Sequence, residues 1–155
     1  MWIYRRLTQT TNYRRCITIT TDTIDLSTKG HCDIIDITLP VEQQLAKFKM
    51  NNGLVTIFVT GSTAGVTTIE YEPGLIADLK DAWQRLVPDN IPYAHDRAWG
   101  DGNGYSHIRA SLLGCSLVVP FKDKRLALGT WQQVVLVDFD NRPRQRQLVV
   151  QLMGE

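Results

Sequence analysis

Two of the three histidines in this 155-residue chain lie close together, in the segment YAHDRAWGDGNGYSHIRASLLG. His95 is followed directly by Asp96, and Asp101 lies midway between His95 and His107. Imidazole nitrogens suit zinc-like cations and carboxylate oxygens suit magnesium-like ones, so these side chains could hold a divalent metal. A solvated, glycine-rich loop with incidental histidines has the same composition, and the spacing does not separate the two interpretations.

The second histidine of this segment is expected at the start of a helix. SHIRASLL predicts a short helix over residues 106–113, capped by Ser106 and ended by Gly114. His107 would then lie in the first turn, where the helix dipole keeps an imidazole neutral and able to ligate a metal. The N–H groups of that turn, with Ser106 and Arg109, would also suit a phosphate, although most helix starts bind nothing.

A second unusual segment, TGSTAGVTTIEYE (60–72), is small and rich in hydroxyl groups. Residues such as Ser62 and Thr63 let a ligand approach the backbone closely. In an extended IEYE, Glu70 and Glu72 share a face and could supply a carboxylate for a metal or a general base. The alternative is a tight turn whose Ser and Thr side chains satisfy local backbone groups.

Hydrophobic periodicity predicts the elements that must position these side chains. Helices are expected over residues 41–50, 73–87 and 106–113. Strands are expected over residues 2–9, 14–20, 32–38, 53–60, 116–121, 126–130, 131–140 and 147–153. Together they predict an α+β fold, with a largely antiparallel sheet or sandwich and about three helices, in a single domain over residues 1–155.

The last third of the chain is expected to form an antiparallel meander. The turn NRPRQR joins its last two strands, which would then pair as neighbours. Arg142, Arg144 and Arg146 alternate there and could share a face that grips an anion. Solvated charges that discourage aggregation are the favoured interpretation of this pattern.

Composition excludes several classes of protein. The net charge of +1 comes from scattered basic residues, which argues against nucleic-acid binding. We expect no membrane association, because the sequence has no apolar run long enough for a signal peptide or a membrane span. Cys16, Cys32 and Cys115 are odd in number and show no CxxC spacing, so we expect free thiols and a cytoplasmic location.

Several motifs occur in an order that resembles the YjbQ family, described as secondary thiamine-phosphate synthase-like proteins. They are GSTAGVTTIEYEPG, YAHD, GDGNGYSHIRASLLG, SLVVPFKDKRLALGTWQ and LVVQLMGE, and they extend over nearly the whole chain. The resemblance implies a compact α+β fold and a homotrimer. It also implies a weak thiamine-phosphate synthase activity, which joins an aminopyrimidine diphosphate to a thiazole phosphate and releases pyrophosphate.

The resemblance also implies roles for individual residues. His95, Asp96 and His107 match the polar motif of the family and would hold a divalent metal, Mg²⁺ or Zn²⁺. The implied catalytic residues are His95, His107 and Glu70. The candidates for contact with a small phosphorylated metabolite are Ser62, Thr63, Ser106, Arg109, Trp131 and Gln132.

This chain departs from the family pattern at two positions. Many members open the earlier motif with His-Thr-Ser-Ala, where this chain has Gly61 first, and Ile69 stands where Asn commonly precedes the Glu. A third imidazole is therefore missing, which counts against a histidine-only metal site or a metal store. The alternative to an enzyme is a non-catalytic module that binds a small phosphorylated metabolite or a metal in the same pocket.

Overall fold

The computed structural model describes residues 16–155, which form two antiparallel sheets and four helices. In chain order the elements are β1 (Thr18–Thr28), β2 (Asp33–Asp36), α1 (Thr38–Ala46), β3 (Asn52–Val59), β4 (Ala64–Ile69), α2 (Pro73–Leu86), α3 (Ala94–Trp99), α4 (Gly104–Leu113), β5 (Ser116–Lys122), β6 (Arg125–Leu126), β7 (Gln133–Asp138) and β8 (Arg144–Gly154). One sheet has the strand order β1-β8-β3-β5-β6 and the other has the order β2-β7-β4. The expected α+β class with antiparallel sheets is confirmed.

Strand β7 lies between the five-stranded sheet and the helices α2 and α4, so its side chains are buried on both faces. Val134 and Leu136 face the five-stranded sheet and pack with residues of β3 and β8. Val135 and Val137 face the opposite side and pack with residues of α2 and α4. This explains the continuous apolar run of β7, which is typical of a strand covered on both sides.

The two sheets are tied together by a buried group of charges. Arg146 of β8 donates to Asp138 of β7 through Nε and Nη2, both at 2.7 Å, and Nη2 also donates to the Thr63 hydroxyl at 2.7 Å. Asp140 accepts from Thr63 at 2.9 Å and forms an ion pair of 2.8 Å with Arg144. Arg146 is therefore a buried structural residue, and the expectation of solvated charges in this segment is wrong for it.

The structure also corrects several element boundaries. The last two strands are not paired, since β7 and β8 belong to different sheets. The hairpin after residue 121 is confirmed, although its second strand covers only Arg125–Leu126. Helix α3 was not predicted, and the strand expected over residues 2–9 lies outside the described residues.

No helix in the described part of the chain is both long and apolar enough to cross a bilayer.

Candidate functional site

The histidine-rich segment forms two helices rather than a loop. His95 and Asp96 lie on α3, which ends at Gly100 in the left-handed conformation. Helix α4 begins four residues after Gly100, at Gly104, with Asn103 and not Ser106 as its N-cap, so His107 lies at the end of the first turn. The helical start expected for His107 is confirmed, and the expected cap is wrong.

A close contact between the two helices brings the histidines together. Asp96 Oδ1 accepts a hydrogen bond of 2.8 Å from the backbone N–H of Gly104. A Cβ at position 104 would lie 2.6 Å from the Cβ of Tyr93, so only glycine permits this approach. The contact sets the imidazoles of His95 and His107 face to face, with ring centroids 4.4 Å apart and planes inclined by 34°.

His95 is also surrounded by carboxylates. Its Nδ1 lies 3.3 Å from Asp101 Oδ1 and 3.7 Å from Asp96 Oδ1, and ligand atoms of the three side chains all lie within 4.8 Å of one another. This Nδ1 is buried and makes no hydrogen bond within residues 16–155. Ligands at about 2.0–2.1 Å from a tetrahedral zinc ion are separated by roughly 3.3 Å. The separations and the donor types therefore fit a divalent cation.

His107 contacts His95 but does not belong to this group of three. Partial burial, followed by the neighbouring His95 imidazole, lowers the pKa of His107, although Asp101, Asp140 and Asp96 oppose the shift. Its imidazole is therefore neutral at physiological pH and can donate through one nitrogen and accept through the other.

A cavity of about 270 Å³ lies beside His107, between α4 and the turn before β4. It is lined by Gly61, Ser62, Ala64, His107, Ala110, Ser111, Gly114 and Cys115. Ser62 is the predicted contact residue that the structure places here beside His107. Small side chains dominate the lining, so a ligand could approach the backbone closely.

Three other predicted contact residues point away from this cavity. Ser106 is fully buried and donates its hydroxyl proton to the Phe139 carbonyl at 2.6 Å. Arg109 is buried and donates to the carbonyl of Val87 through Nε at 2.9 Å and Nη2 at 2.7 Å. Thr63 belongs to the charged group between the sheets. All three have structural partners in place of the expected ligand.

The predicted acid Glu70 is separated from the histidines. It follows β4, whereas Ala64 at the other end of this strand lines the cavity beside His107. Six strand residues span about 20 Å, so Glu70 does not complete the group around His95. It lines an open groove of about 390 Å³ with Trp131 and Gln132.

Glu72, the neighbouring acid, instead caps α2. Its carboxylate accepts hydrogen bonds from the backbone N–H groups of Gly74 and Leu75. This position before Pro73 satisfies free N–H groups at the helix start, as an N-cap residue does.

Comparison with known proteins shows which family the chain belongs to. The family model for UPF0047 protein YjbQ-like matches residues 22–155. The chain belongs to the YjbQ family. A UPF0047 protein of Archaeoglobus fulgidus is 38% identical over 130 residues, which cover 84% of this chain and 98% of that protein. A UPF0047 protein of Methanocaldococcus jannaschii is 32% identical over 131 residues, covering 84% and 91% of the two chains.

Solved structures of similar sequence share the fold. The crystal structure of a protein from Sulfolobus solfataricus P2, described as YbjQ-like and of unknown function, has a TM-score of 0.85 and 32% identity, and the match covers 90% of this chain and 100% of that one. A hypothetical protein of Aeropyrum pernix K1 has a TM-score of 0.81 and 31% identity, with 88% and 99% covered. The family expected from the sequence motifs is thus confirmed.

The contact between the two imidazoles predicts an abnormal titration of His107. We expect its pKa to lie below 6.5, and His95→Ala to raise it, because that substitution removes the neighbouring ring and admits water. Carbon-detected NMR titration of the ring signals measures the pKa of His107 in the wild type and in His95→Ala. A pKa of His107 that is unchanged in His95→Ala would contradict this coupling.

The same shift fixes the sign of the pH effect on stability. The folded pKa of His107 is below the unfolded value, so the unfolded chain binds the proton first as the pH falls. The contribution of neutral His107 to the free energy of unfolding is complete above the unfolded pKa. It is lost as the pH falls from the unfolded pKa to the folded pKa. Between about pH 7.5 and pH 5, the free energy of unfolding of the wild type should decrease more than that of His107→Gln, as measured by urea denaturation.

Proposed function

We propose that this protein binds a divalent cation through His95, Asp96 and Asp101, and a small phosphorylated metabolite in the cavity beside His107. The observation that carries the proposal is the buried Nδ1 of His95, which has two carboxylate oxygens near it and no hydrogen-bond partner in the described chain. Burying a polar atom without a partner is unfavourable, and a cation would satisfy it. Mg²⁺ and Zn²⁺ both accept this mixture of oxygen and nitrogen ligands.

The proposed reaction is a thiamine-phosphate synthase-like coupling. In this reaction a thiazole nitrogen forms a bond to the aminopyrimidine methylene carbon while the carbon–oxygen bond to the diphosphate breaks, releasing pyrophosphate. A bound cation supplies charge stabilisation to such a leaving group. The neutral imidazole of His107 can donate a hydrogen bond to a phosphate oxygen or carry a proton to it, and the Ser62 hydroxyl can orient the same group.

Two features favour a second candidate, which is binding of one metabolite without turnover. The cavity of about 270 Å³ is smaller than typical ligand sites, which measure about 300–1,000 Å³, and it suits one small molecule better than two substrates. In addition, Glu70, the acid that the resemblance assigns to catalysis, lines a different groove.

Titration with Zn²⁺ and with Mg²⁺, in separate calorimetry experiments, tests the cation site. We expect one site per chain, and a loss of affinity of about 10–100-fold or more in His95→Ala, which removes a ligand atom, and in Asp101→Asn, which removes the negative charge of a ligand. Asp89→Asn is the matched control, since Asp89 is exposed and outside the group of three. Equal affinity in the wild type and in His95→Ala would rule the site out.

Release of pyrophosphate from the two thiamine precursors distinguishes the two candidates. For the enzyme, His107→Ala should lower the rate by about 100-fold or more, because it removes the group that transfers a proton. His31→Ala, which removes an imidazole from a different cavity, should leave the rate unchanged. Should the wild type bind a precursor while pyrophosphate release stays at the uncatalysed rate in the wild type, His107→Ala and Glu70→Ala alike, binding without catalysis is the correct description.

We also propose self-association as a homotrimer in the cytoplasm. The outer face of the five-stranded sheet supports self-association, because Ile19, Met153, Leu54 and Pro120 lie side by side across four strands and are exposed. The three free thiols of the chain are consistent with a reducing compartment. Light scattering should give three times the mass of one chain, and the mass of a monomer would remove the trimer from the proposal.

A further inference from the structure

We propose that a phosphate group binds at the Gly61 end of the cavity, against Nη1 of the buried Arg146. This inference rests on the proposed metabolite site, and it assigns the residue that anchors the phosphate there. It is independent of the cation site at His95.

One nitrogen of the Arg146 side chain, Nη1, is not used in the bonds to Asp138 and Thr63. The side chain is 8% exposed, and Nε and Nη2 are occupied by Asp138 and Thr63. Nη1 makes no hydrogen bond with any residue of the described chain. It is also not fully buried. It therefore retains access to solvent, as a donor that a ligand can use.

Gly61 is a residue of the cavity lining that lies next to this nitrogen. Gly61 lines the cavity with His107, and a Cβ built on it would lie 3.0 Å from Arg146 Nη1. A Cβ at position 61 would thus occupy space beside the free donor, and apart from Gly61 and its chain neighbours no other atom of the described chain lies within 4 Å of that point. The glycine φ of +120° also belongs to a region that other residues rarely adopt.

The guanidinium is held rigidly by its partners. The bidentate ion pair with Asp138 and the hydrogen bond to Thr63 fix the plane of the guanidinium, so little conformational entropy is lost when a ligand binds. Asp138 and Asp140 balance the charges of Arg146 and Arg144. Attraction at long range is therefore weak, and binding depends on direct contact with Nη1.

Dependence on direct contact predicts that a single methyl group beside Nη1 weakens the site. We expect Gly61→Ala to weaken the binding of inorganic phosphate by about 10-fold or more, which corresponds to the loss of one charge-assisted hydrogen bond. Calorimetry in the presence of a chelator, with no divalent cation, measures this affinity separately from the cation site. His95→Ala should accordingly bind phosphate like the wild type.

Gly114→Ala is the matched control for this experiment. Gly114 lines the same cavity and also has a positive φ, of +95°, but a Cβ there would meet nothing within 4 Å. It should keep phosphate affinity within about threefold of the wild type, because it adds the methyl group and the backbone strain without covering Nη1. Equal losses in the two variants, no loss in Gly61→Ala, or no phosphate binding by the wild type would each overturn the proposal.

A measurement on the wild type tests the phosphate site without requiring that any variant folds. Phosphate should shift the NMR signal of the Arg146 Nε–H group, because a new bond at Nη1 polarises the whole guanidinium. A small phosphate monoester such as glycerol phosphate should cause the same shift if the group is recognised as part of a metabolite. Binding of inorganic phosphate with no change in this signal would place the anion elsewhere and contradict the proposal.

Discussion

The buried pair between Arg146 and Asp138 is the interaction on which the rest of the structure depends. It joins β8 of one sheet to β7 of the other with two hydrogen bonds of 2.7 Å. Removing one partner of such a buried pair leaves an uncompensated charge, which typically costs about 3–5 kcal/mol. Through Thr63, the same guanidinium holds the turn before β4. The position of Ser62 and Gly61 at the cavity therefore follows from the contact between the sheets.

A second constraint acts from the helical side. The bond from the Gly104 N–H to Asp96 fixes the start of α4 against α3, and no larger residue than glycine fits at that point. One carboxylate oxygen thus joins the helices while it lies 3.7 Å from Nδ1 of His95. The imidazoles are then held in contact, and burial together with the neighbouring ring keeps His107 neutral. The same contact leaves His107 facing the cavity.

Patterns with strong hydrophobic periodicity predicted their elements well. The helix from Pro73 and the strand around residues 53–60 were predicted from the apolar spacing, because burial of one face determines both. The six-residue helix α3 was not, since it is too short to show a period and is followed by glycines. Pairing of β7 with β8 was also wrong, because the apolar run of β7 does not reveal which sheet the strand joins.

Side-chain roles were predicted less well, for a physical reason. A sequence pattern places Ser106, Arg109 and Thr63 near the site, but it does not show which face of an element they occupy. On α4, Ser106 and Arg109 turn toward structural partners, whereas His107 turns toward the cavity. Arg146 was expected at the surface because alternating arginines are usually solvated. Its buried acidic partner Asp138 lies on another strand, β7, in which most residues are apolar.

Anomalous diffraction from crystals soaked in Zn²⁺ tests most directly whether the gathered imidazole and carboxylates serve to hold a cation. We predict one strong peak at about 2.0–2.2 Å from Nδ1 of His95, with oxygens of Asp96 and Asp101 completing the contact. A peak at some other group of side chains, with Nδ1 of His95 still without a partner, would contradict the account.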